Sequence, residues 1–531
     1  MNWYQTYNPI GNSAFSTLIA ILPIAVLLAL LLFSRLKAFL SAFLALASAL
    51  VIAVCIYQMP ANKATASLGY GVLYGLLPIG WIVLNVFFLF RVLTKAGVID
   101  GLRIALIAIT DDKRLQLLIV AFCFGAMLEG AAGFGTPVAI TAAILIGLGF
   151  SPLQTSILSL LANTAPVAYG GLGTPVIALQ GVTGLDLRQL SGMVGLLLTP
   201  FGVLVPIWLE WAFVGWKKTR ELLPILLAAG LSFAITQLVV STYHGPWLVG
   251  ILAGLVSLGV TLIAIRTCGY KTKFVNHKNF KPVPKLEIAN YKVWLPWVVL
   301  VTIVLAWGIP QFKSLLDTAT IQIPIPSLDQ QVFRVPPVAM ELKAEAAVFK
   351  LTWLSATGSA ILLAAVVNGL LLGFKSGDIA RMFVKAVYEV RFSLLTISGM
   401  MALGFVTRFS GMDGTLGLAF AHAGPLYPFF GTLLGWLGVA ITGSDTSSNV
   451  LFGSLQRITA EQLGINPVVM SAANSAGGVM GKMIDAQSIV IASTSTKWFG
   501  HEREILRGIL LHSLVLAILV AVVVSIKIYL F

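Results

Sequence analysis

The sequence predicts an all-α polytopic membrane protein with about twelve transmembrane helices. Of its 531 residues, 58% are hydrophobic and only 10% are charged, whereas soluble domains carry about 25% charged residues. The apolar residues also fall into runs of the length that crosses a bilayer. A soluble chain of this size would instead divide into several domains with charged surfaces.

Ten apolar runs are predicted to cross the membrane directly, and two more, 152–180 and 467–495, are predicted to cross with an interruption. The ten runs are 13–34, 38–58, 70–90, 191–214, 221–243, 246–265, 293–308, 353–374, 388–407 and 506–530. The shortest, 293–308, needs residues from its flanks to span about 30 Å of hydrocarbon. No basic residue precedes Arg35, so the first run is expected to be a retained span and not a signal peptide.

Basic residues predict which loops are cytoplasmic. Clusters of Lys and Arg lie at 35–37, 91–103, 113–114 and 216–220. The stretch 266–292 holds seven basic residues and the single acid Glu287. Cytoplasmic loops carry such an excess of Lys and Arg, so all of these segments are expected on the cytoplasmic side. The loop 309–352, with four basic and four acidic residues, is expected on the opposite side.

Two segments do not fit as simple crossings, and each is predicted to be a re-entrant hairpin. Residues 115–150 have to begin and end on the cytoplasmic side, with two apolar halves of 14 residues around the tip Glu129–Gly135. Each half would extend about 21 Å as a helix, too short to cross. Residues 426–463 behave in the same way from the other side, around Thr442–Asn449, a tip too polar to face lipid.

The hairpins indicate an internal repeat of opposite topology. Each is followed by an apolar segment with an Asn at which a helix break is expected, and Gly133 precedes Asn163 by 30 residues while Gly443 precedes Asn474 by 31. Inverted repeats with broken helices are typical of secondary transporters. The prediction is one membrane domain, 1–531, with a first repeat at 13–214 (hairpin 115–150), linking helices at 221–265 and a second repeat at 293–530 (hairpin 426–463).

Four motifs lie at the tips and at the segments that follow them. They are LEGAAGFGTPVAIT (Leu128–Thr141), NTAPVAYGGLGTP (Asn163–Pro175), TGSDTSSN (Thr442–Asn449) and GGVMGKMIDAQSI (Gly477–Ile489). Together they resemble the lactate permease family of bacteria, which includes lactate and glycolate permeases, and the resemblance covers nearly the whole chain. One departure is at Asp485 and Ala486, where Ser-Pro is common in the family, so no family-wide role is expected for Asp485.

The resemblance implies a proton symporter in the bacterial inner membrane that takes up L-lactate and related 2-hydroxymonocarboxylates, namely D-lactate and glycolate. It also implies kinship with the wider ion-transporter superfamily, whose members pair two opposed hairpins and often use an elevator mechanism. The expected partners are therefore a small-molecule substrate, protons and the lipid bilayer. The sequence leaves the oligomeric state open, a homo-oligomer included.

A transporter of a small anion has to neutralise a carboxylate away from bulk water. Helix N-termini at the tips offer free N–H groups, glycines permit close backbone approach, and hydroxyl and amide groups bond a carboxylate or a 2-hydroxyl. The predicted substrate-binding residues are Gly133, Gly135, Asn163, Thr164, Ser444, Thr446, Ser447, Ser448, Asn474 and Lys482. The alternatives are that the polar residues only cap interrupted helices, and that Lys482 is a structural partner of Asp485 or Asp445.

Glu129 and Asp445, one at each tip, are the predicted proton-coupling residues. Both are expected at depths where desolvation favours the neutral carboxyl group. The alternative is that each carboxylate accepts backbone hydrogen bonds and never titrates.

Other functions fit the sequence less well. It contains no nucleophile elbow, HExxH motif or phosphate loop, so no enzyme is expected, and the three cysteines have no metal-like spacing. We expect no cofactor, no metal and no nucleic-acid partner. Two transport alternatives remain: a sodium-coupled carboxylate symporter, because the oxygens of TGSDTSSN suit a hard cation, and a passive anion channel or uniporter, because re-entrant loops also build pores.

Overall fold

The computed structural model describes residues 2–34, 36–107, 109–133, 135–268 and 290–530. The described residues leave out most of the predicted cytoplasmic stretch 266–292. They also leave out Arg35, in the first predicted basic cluster, and Phe134, in the first tip. The described chain is mostly helical, with four short strands near its middle and one of two residues close to its start.

Helices of the first half run from α1 to α14, with π-helical segments at Gly75–Gly80 and Leu118–Phe124. Their bounds are α1 Ser13–Phe33, α2 Ala38–Cys55, α3 Ala61–Tyr74, α4 Trp81–Lys95, α5 Val98–Ile107, α6 Lys113–Leu117, α7 Gly125–Ala131, α8 Thr136–Gly147, α9 Pro152–Asn163, α10 Gly170–Thr183, α11 Leu187–Val214, α12 Trp216–Thr219, α13 Leu223–Tyr243 and α14 Val249–Thr267.

Helices of the second half run from α15 to α24. Their bounds are α15 Asn290–Gly308, α16 Pro310–Asp317, α17 Thr357–Leu371, α18 Ser376–Ser410, α19 Met412–Ala421, α20 Tyr427–Thr442, α21 Asp445–Gln462, α22 Pro467–Gly481, α23 Ala486–Ser495 and α24 Glu502–Leu530. The strands are β1 Trp3–Tyr4, β2 Ile321–Pro324, β3 Val332–Arg334, β4 Lys343–Ala344 and β5 Val348–Leu351. They form two small sheets, one in the order β1-β3-β4 and one pairing β2 with β5.

Ten helical stretches of the described chain are long and apolar enough to cross a membrane, or eleven if the bent pair at Lys292–Gly308 and Gln311–Asp317 is one span. The predicted all-α polytopic membrane protein is thereby confirmed. The count differs from the expected twelve because four of the expected spans do not qualify alone. The segments α9–α10 and α22–α23 consist of pieces that are too short, α17 has only 15 residues, and 293–308 belongs to the bent pair. Two of the stretches that do qualify, Lys113–Ala131 and Gly424–Thr442, were expected as hairpin arms.

The first arm of the predicted first hairpin is longer than the sequence suggested. It runs from Lys113 to Ala131, 19 residues, which is about 28 Å at 1.5 Å per residue. The expectation that this arm is too short to cross is therefore wrong. The arm extends past the apolar run at both ends, since the helix begins at Lys113 and Glu129 lies inside α7. The polar residue within the run is also buried, because Gln116 donates from Nε2 to the Thr110 carbonyl at 2.7 Å.

The predicted helix break is found at Asn163 but not at Asn474. Asn163 is the last residue of α9. A turn and a short 3-10 helix, Val167–Tyr169, separate it from α10. Asn474 instead lies in the middle of α22, and the break comes after Gly481, where Lys482–Asp485 separate α22 from α23. The amide of Asn474 bonds to three side chains of α21.

Glycines set how closely α20 and α22 approach each other. A Cβ added to Gly435 would lie 2.1 Å from the Asn474 carbonyl oxygen, one on Gly477 2.2 Å from the Thr432 oxygen, and one on Gly481 2.3 Å from the Trp436 oxygen. Real Cβ atoms do not approach so closely, so only glycine fits these positions. The two helices are therefore packed backbone to backbone.

The strand-containing segment 318–356 is fixed to the helices by a buried ion triad. Glu345 forms ion pairs with Arg334 and with Arg408, whose Nη2 lies 2.8 Å from Glu345 Oε2. Arg408, in the last turn of α18, also donates to the carbonyls of Gly181 and Val182 at the end of α10, at 3.3 and 3.2 Å. Burial raises the pKa of Glu345, but the charges of Arg408 and Arg334 outweigh burial and lower its pKa to about 2.

Replacing Glu345 by Ala is expected to destabilise the protein by about 3–5 kcal/mol, because it leaves two buried arginines without their counter-charge. The folded pKa lies below the unfolded value, so the stabilisation is complete above about pH 4.5 and is lost as the pH falls toward 2. Thermal unfolding in detergent measures the effect. Glu341→Gln, in an exposed position of the same segment, is the control and should change stability by no more than about 0.5 kcal/mol. Equal melting temperatures for the two variants would contradict the assignment.

Candidate functional site

A small cavity lies where α21 and the regular part of α10 begin, beside α4 and α18. One part of its wall carries hydroxyl groups and the remainder is apolar. The lining residues are Ile79, Val83, Thr174, Ile397, Met400, Met401, Ser444, Thr446, Ser447 and Val450.

The start of α21 forms one polar side of the cavity. Ser444 has extended backbone and caps the helix, since its Oγ accepts a hydrogen bond from the Ser447 N–H at 3.3 Å. Gly443 before it has a φ of 73°, which favours glycine and turns the chain out of α20. The free N–H groups of a helix start, together with the helix dipole, attract negative charge.

The start of the regular part of α10 forms the other polar side. Gly171, Leu172 and Gly173 have φ values of 51°, 52° and 79°, so the regular right-handed helix begins only after them. Thr174 then stands at the helix start with Pro175 next, a residue well suited to the first helical turn. The cavity is therefore lined by two helix starts and by hydroxyls from both, an arrangement that can hold a small anion.

Lys482 lies in the break between α22 and α23 and is almost fully buried. Its Nζ donates to the Gly443 carbonyl at 2.7 Å and forms an ion pair with Asp485 Oδ2 at 3.2 Å. Its charge also interacts with both Glu129 and Asp445. This ammonium group therefore links the second tip to the two acidic residues.

Glu129 is buried in α7 against the break that precedes α10. A Cβ on Gly170 would lie 2.3 Å from Glu129 Oε1, and a Cβ on Gly133 would lie 2.9 Å from the Gly171 nitrogen. Among the described residues, neither Glu129 Oε2 nor the amide atoms of Asn163 have a hydrogen-bond partner of ordinary geometry. The first tip thus packs on the first break, where the Asn163 side chain acts on the Glu129 carboxylate without a hydrogen bond of ordinary geometry.

Asp445 occupies the first turn of α21 and faces α22. Its Oδ2 accepts a hydrogen bond from Ser475 Oγ at 2.5 Å and lies 3.5 Å from Asn449 Nδ2. Its Oδ1 has no hydrogen-bond partner in the part of the chain that the structure describes. A buried carboxylate oxygen without a donor is costly while the group is charged.

Asn474 is held in a network of buried amides. Its Nδ2 donates to Asn449 Oδ1 at 3.0 Å and to Ser448 Oγ at 3.4 Å, and its Oδ1 accepts from Gln456 Nε2 at 3.2 Å. Gln456 in turn accepts from Tyr427 at 2.7 Å. These bonds tie α21 to α20 and α22.

The comparisons with known proteins identify the family. The model of the L-lactate permease family matches residues 16–531. This chain belongs to that family. It is therefore a transporter and not an enzyme, and a multi-pass protein of the bacterial inner membrane.

Three relatives match this permease over almost their whole length. The L-lactate permease of Escherichia coli strain K12 is 42% identical, with 99% of this chain and 98% of the relative covered. The L-lactate permease of Bacillus subtilis strain 168 is 39% identical, with 100% and 99% covered. The glycolate permease GlcA of Escherichia coli strain K12 is 40% identical, with 100% and 99% covered.

The structure of the permease brings some of the predicted site residues together and leaves others apart. Ser444, Thr446 and Ser447 line the cavity. The remaining predicted residues support the tips and breaks without appearing among the lining residues: Gly133, Gly135, Asn163, Thr164, Ser448, Asn474 and Lys482. Thr164 Oγ1 donates to the Leu161 carbonyl at 2.7 Å, and Gly135 packs against Ile491.

Several residues around the cavity are not among those predicted from the sequence. Thr174 had a local signal, because it follows the Gly-rich GGLG as Ser444 follows Gly443. Asn449 lies four residues after Asp445, a spacing that places both on one face of a helix, whereas nothing in the sequence indicates that Ser475 contacts Asp445. The apolar wall from α4 and α18 had no local signal, since Val83 and Met401 resemble lipid-facing residues of any long apolar helix.

Proposed function

We propose that this protein takes up L-lactate and related 2-hydroxymonocarboxylates, D-lactate and glycolate, by symport with protons. The cavity lined by Thr174, Ser444 and Ser447 at two helix starts is the observation that carries the proposal. The names of the relatives agree with this substrate class, since they are L-lactate permeases and a glycolate permease.

The two parts of the cavity wall match the two ends of such a substrate. The N–H groups and hydroxyls at the helix starts would bind the carboxylate and the 2-hydroxyl group. Apolar side chains such as Ile79, Met400 and Val450 would contact the methyl group of lactate. One methyl group in an apolar pocket is worth about 1–3 kcal/mol, so lactate and glycolate fall within one substrate class.

Glu129 and Asp445 are the groups that we assign to the proton. Each is buried with one carboxylate oxygen that lacks a partner among the described residues, and protonation removes the charge that makes this arrangement costly. The charge of Lys482 acts on both, so a proton on either acid makes the surroundings of this ammonium group less negative and more favourable to an anion. Proton binding and anion binding would then favour each other.

The proposed architecture is an inverted repeat with two re-entrant hairpins and an elevator-type movement. The order of elements supports it: Lys113–Ala131 with α8, the broken pair α9–α10 and the long α11 correspond to α20 with α21, α22–α23 and α24. Lys113 Nζ donates to the Gly149 carbonyl at 2.8 Å, which joins the two ends of the first hairpin. The repeats would extend over 13–214 and 293–530, with 221–265 between them.

Uptake of labelled L-lactate by proteoliposomes tests the proposal. The purified protein is reconstituted, a pH gradient is imposed, acidic outside, and sodium is left out. We expect accumulation above the external concentration that a protonophore abolishes. Equilibration without accumulation would indicate a channel or uniporter, and uptake only after sodium is added would indicate sodium coupling; either result contradicts proton symport.

A further inference from the structure

Asn449 joins the two halves of the candidate site through one side chain. It lies one helical turn after Asp445 on α21, so the two side chains share a face. Its Nδ2 donates to the Pro175 carbonyl of α10 at 3.1 Å and lies 3.5 Å from Asp445 Oδ2. The side chain is completely buried, so these bonds are made within the protein.

We propose that Asn449 is a positioning residue that couples the protonation of Asp445 to the shape of the anion cavity. The inference rests on the proposed function and adds to it the residue that links proton and substrate. Pro175 directly follows Thr174, which lines the cavity. A bond to the Pro175 carbonyl therefore fixes one helix start with respect to the other, at Ser444.

The two hydrogen bonds that Asn449 donates from Nδ2 respond differently to the charge of Asp445. An amide N–H binds a charged carboxylate more strongly, and at a shorter distance, than it binds a neutral group. The contact to Asp445 is long at 3.5 Å, whereas the bond to Pro175 has an ordinary length of 3.1 Å. Ionisation of Asp445 draws Asn449 toward the carboxylate and away from Pro175, and protonation lets the amide return to Pro175.

Other groups around Asp445 do not provide this link. Ser475 donates to the same oxygen, Oδ2, and so ties Asp445 to α22 and not to α10. The charged group that acts on Asp445 is Lys482, in the break after α22. Among the described residues, neither α10 nor α18 contributes a titratable side chain to the cavity wall. Among the described hydrogen bonds, those of Asn449 therefore connect Asp445 with α10.

The test compares the pH dependence of lactate affinity in wild-type protein and in Asn449→Ala. Exchange of labelled for unlabelled L-lactate is measured in proteoliposomes with the same pH on both sides, at pH 5.5 and at pH 7.5. Since coupling makes each ligand strengthen the other, wild-type affinity should be about tenfold or more higher at the lower pH. In Asn449→Ala the ratio of the two affinities is expected to fall below about threefold.

Gln456→Ala is the matched control. Gln456 belongs to the same buried network and bonds Asn474 and the Gly431 carbonyl; among the described residues, it forms no hydrogen bond with Asp445 or Pro175. A substitution that only weakens the structure lowers lactate exchange at both pH values but keeps the wild-type ratio of the two lactate affinities. This is the expected result for Gln456→Ala. If Asn449→Ala does not fold, Asn449→Ser should show the same reduced ratio, because its hydroxyl is too short to contact both Asp445 and Pro175.

The outcomes separate this inference from the proposed function. A wild-type protein that exchanges no lactate, or does so with one affinity at both pH values, contradicts the proposed function. A wild-type protein with the expected ratio, together with an unchanged ratio in the folded Asn449 variants, overturns only the role of Asn449. A reduced ratio in Gln456→Ala as well would assign the effect to the whole network and overturn the specific role.

Discussion

Asp445→Asn is expected to abolish the accumulation of lactate against its gradient while lactate exchange continues. One coupled proton and a gradient of two pH units support up to about a 100-fold accumulation, since each unit corresponds to about 1.4 kcal/mol. Asparagine cannot carry that proton, but it can still accept the hydrogen bond from Ser475. The accumulation ratio should therefore fall to about one, measured in proteoliposomes with an imposed pH gradient.

Glu129→Gln is the companion variant, because the structure gives both tips a buried acid that interacts with Lys482. Loss of accumulation in one variant alone identifies the proton carrier, and loss in both indicates that the two acids act together. Asp317→Asn, in an exposed position at the end of α16, is the control and should accumulate lactate like the wild type. Wild-type accumulation in both Glu129→Gln and Asp445→Asn would place the coupling group elsewhere.

Lys482→Met is expected to have two effects, a loss of stability and a loss of lactate affinity. The substitution leaves Asp485 buried without its ion-pair partner, and breaking a buried pair in this way costs about 3–5 kcal/mol. It also removes the ammonium charge that interacts with Glu129 and Asp445. We expect the affinity for lactate to fall about tenfold or more, in line with about 1.4 kcal/mol or more of lost attraction.

The double variant Lys482→Met/Asp485→Asn separates the two effects. Asparagine can replace Asp485 as the cap of α23, where Oδ1 accepts from the Ser488 N–H at 2.8 Å, and it leaves no unpaired charge. Melting temperature in detergent should recover, whereas the affinity for lactate, measured by exchange, should stay low. Recovery of both would show that Lys482 acts through Asp485 alone and does not attract the substrate.

The membrane fold was largely predictable because it depends on apolar length, which can be measured directly along the sequence. The ends of the helices were less predictable, since a helix buried inside the protein can contain polar residues that a lipid-facing helix cannot. Lys113, Arg114 and Glu129, polar residues just outside the expected apolar arm, instead lie inside one continuous helical stretch. Asn474 was expected at a break because it is a polar residue in an apolar segment. In the structure it lies inside α22, and its amide bonds to side chains of α21.

The candidate site was predictable only where its residues lie in local motifs. Ser444, Thr446 and Ser447 were found because a polar run between two apolar arms cannot face lipid and therefore indicates a buried tip. Val83 on α4 and Met401 on α18 complete the same cavity from parts of the chain that carry no polar or glycine signal. Their role depends on contacts between helices that are distant in sequence, and spacing within one segment does not reveal such contacts.

The glycine contacts between α20 and α22 restrict how the cavity can open. With the backbones touching at Gly435, Gly477 and Gly481, the second tip cannot swing away from α22 as a thin flap without exposing bare peptide groups to lipid. We therefore expect the hairpin and α22 to travel together as a rigid block. In the elevator-type movement proposed above, such a block would displace annular lipids, and rearrangement of the bilayer would then contribute to the barrier to turnover.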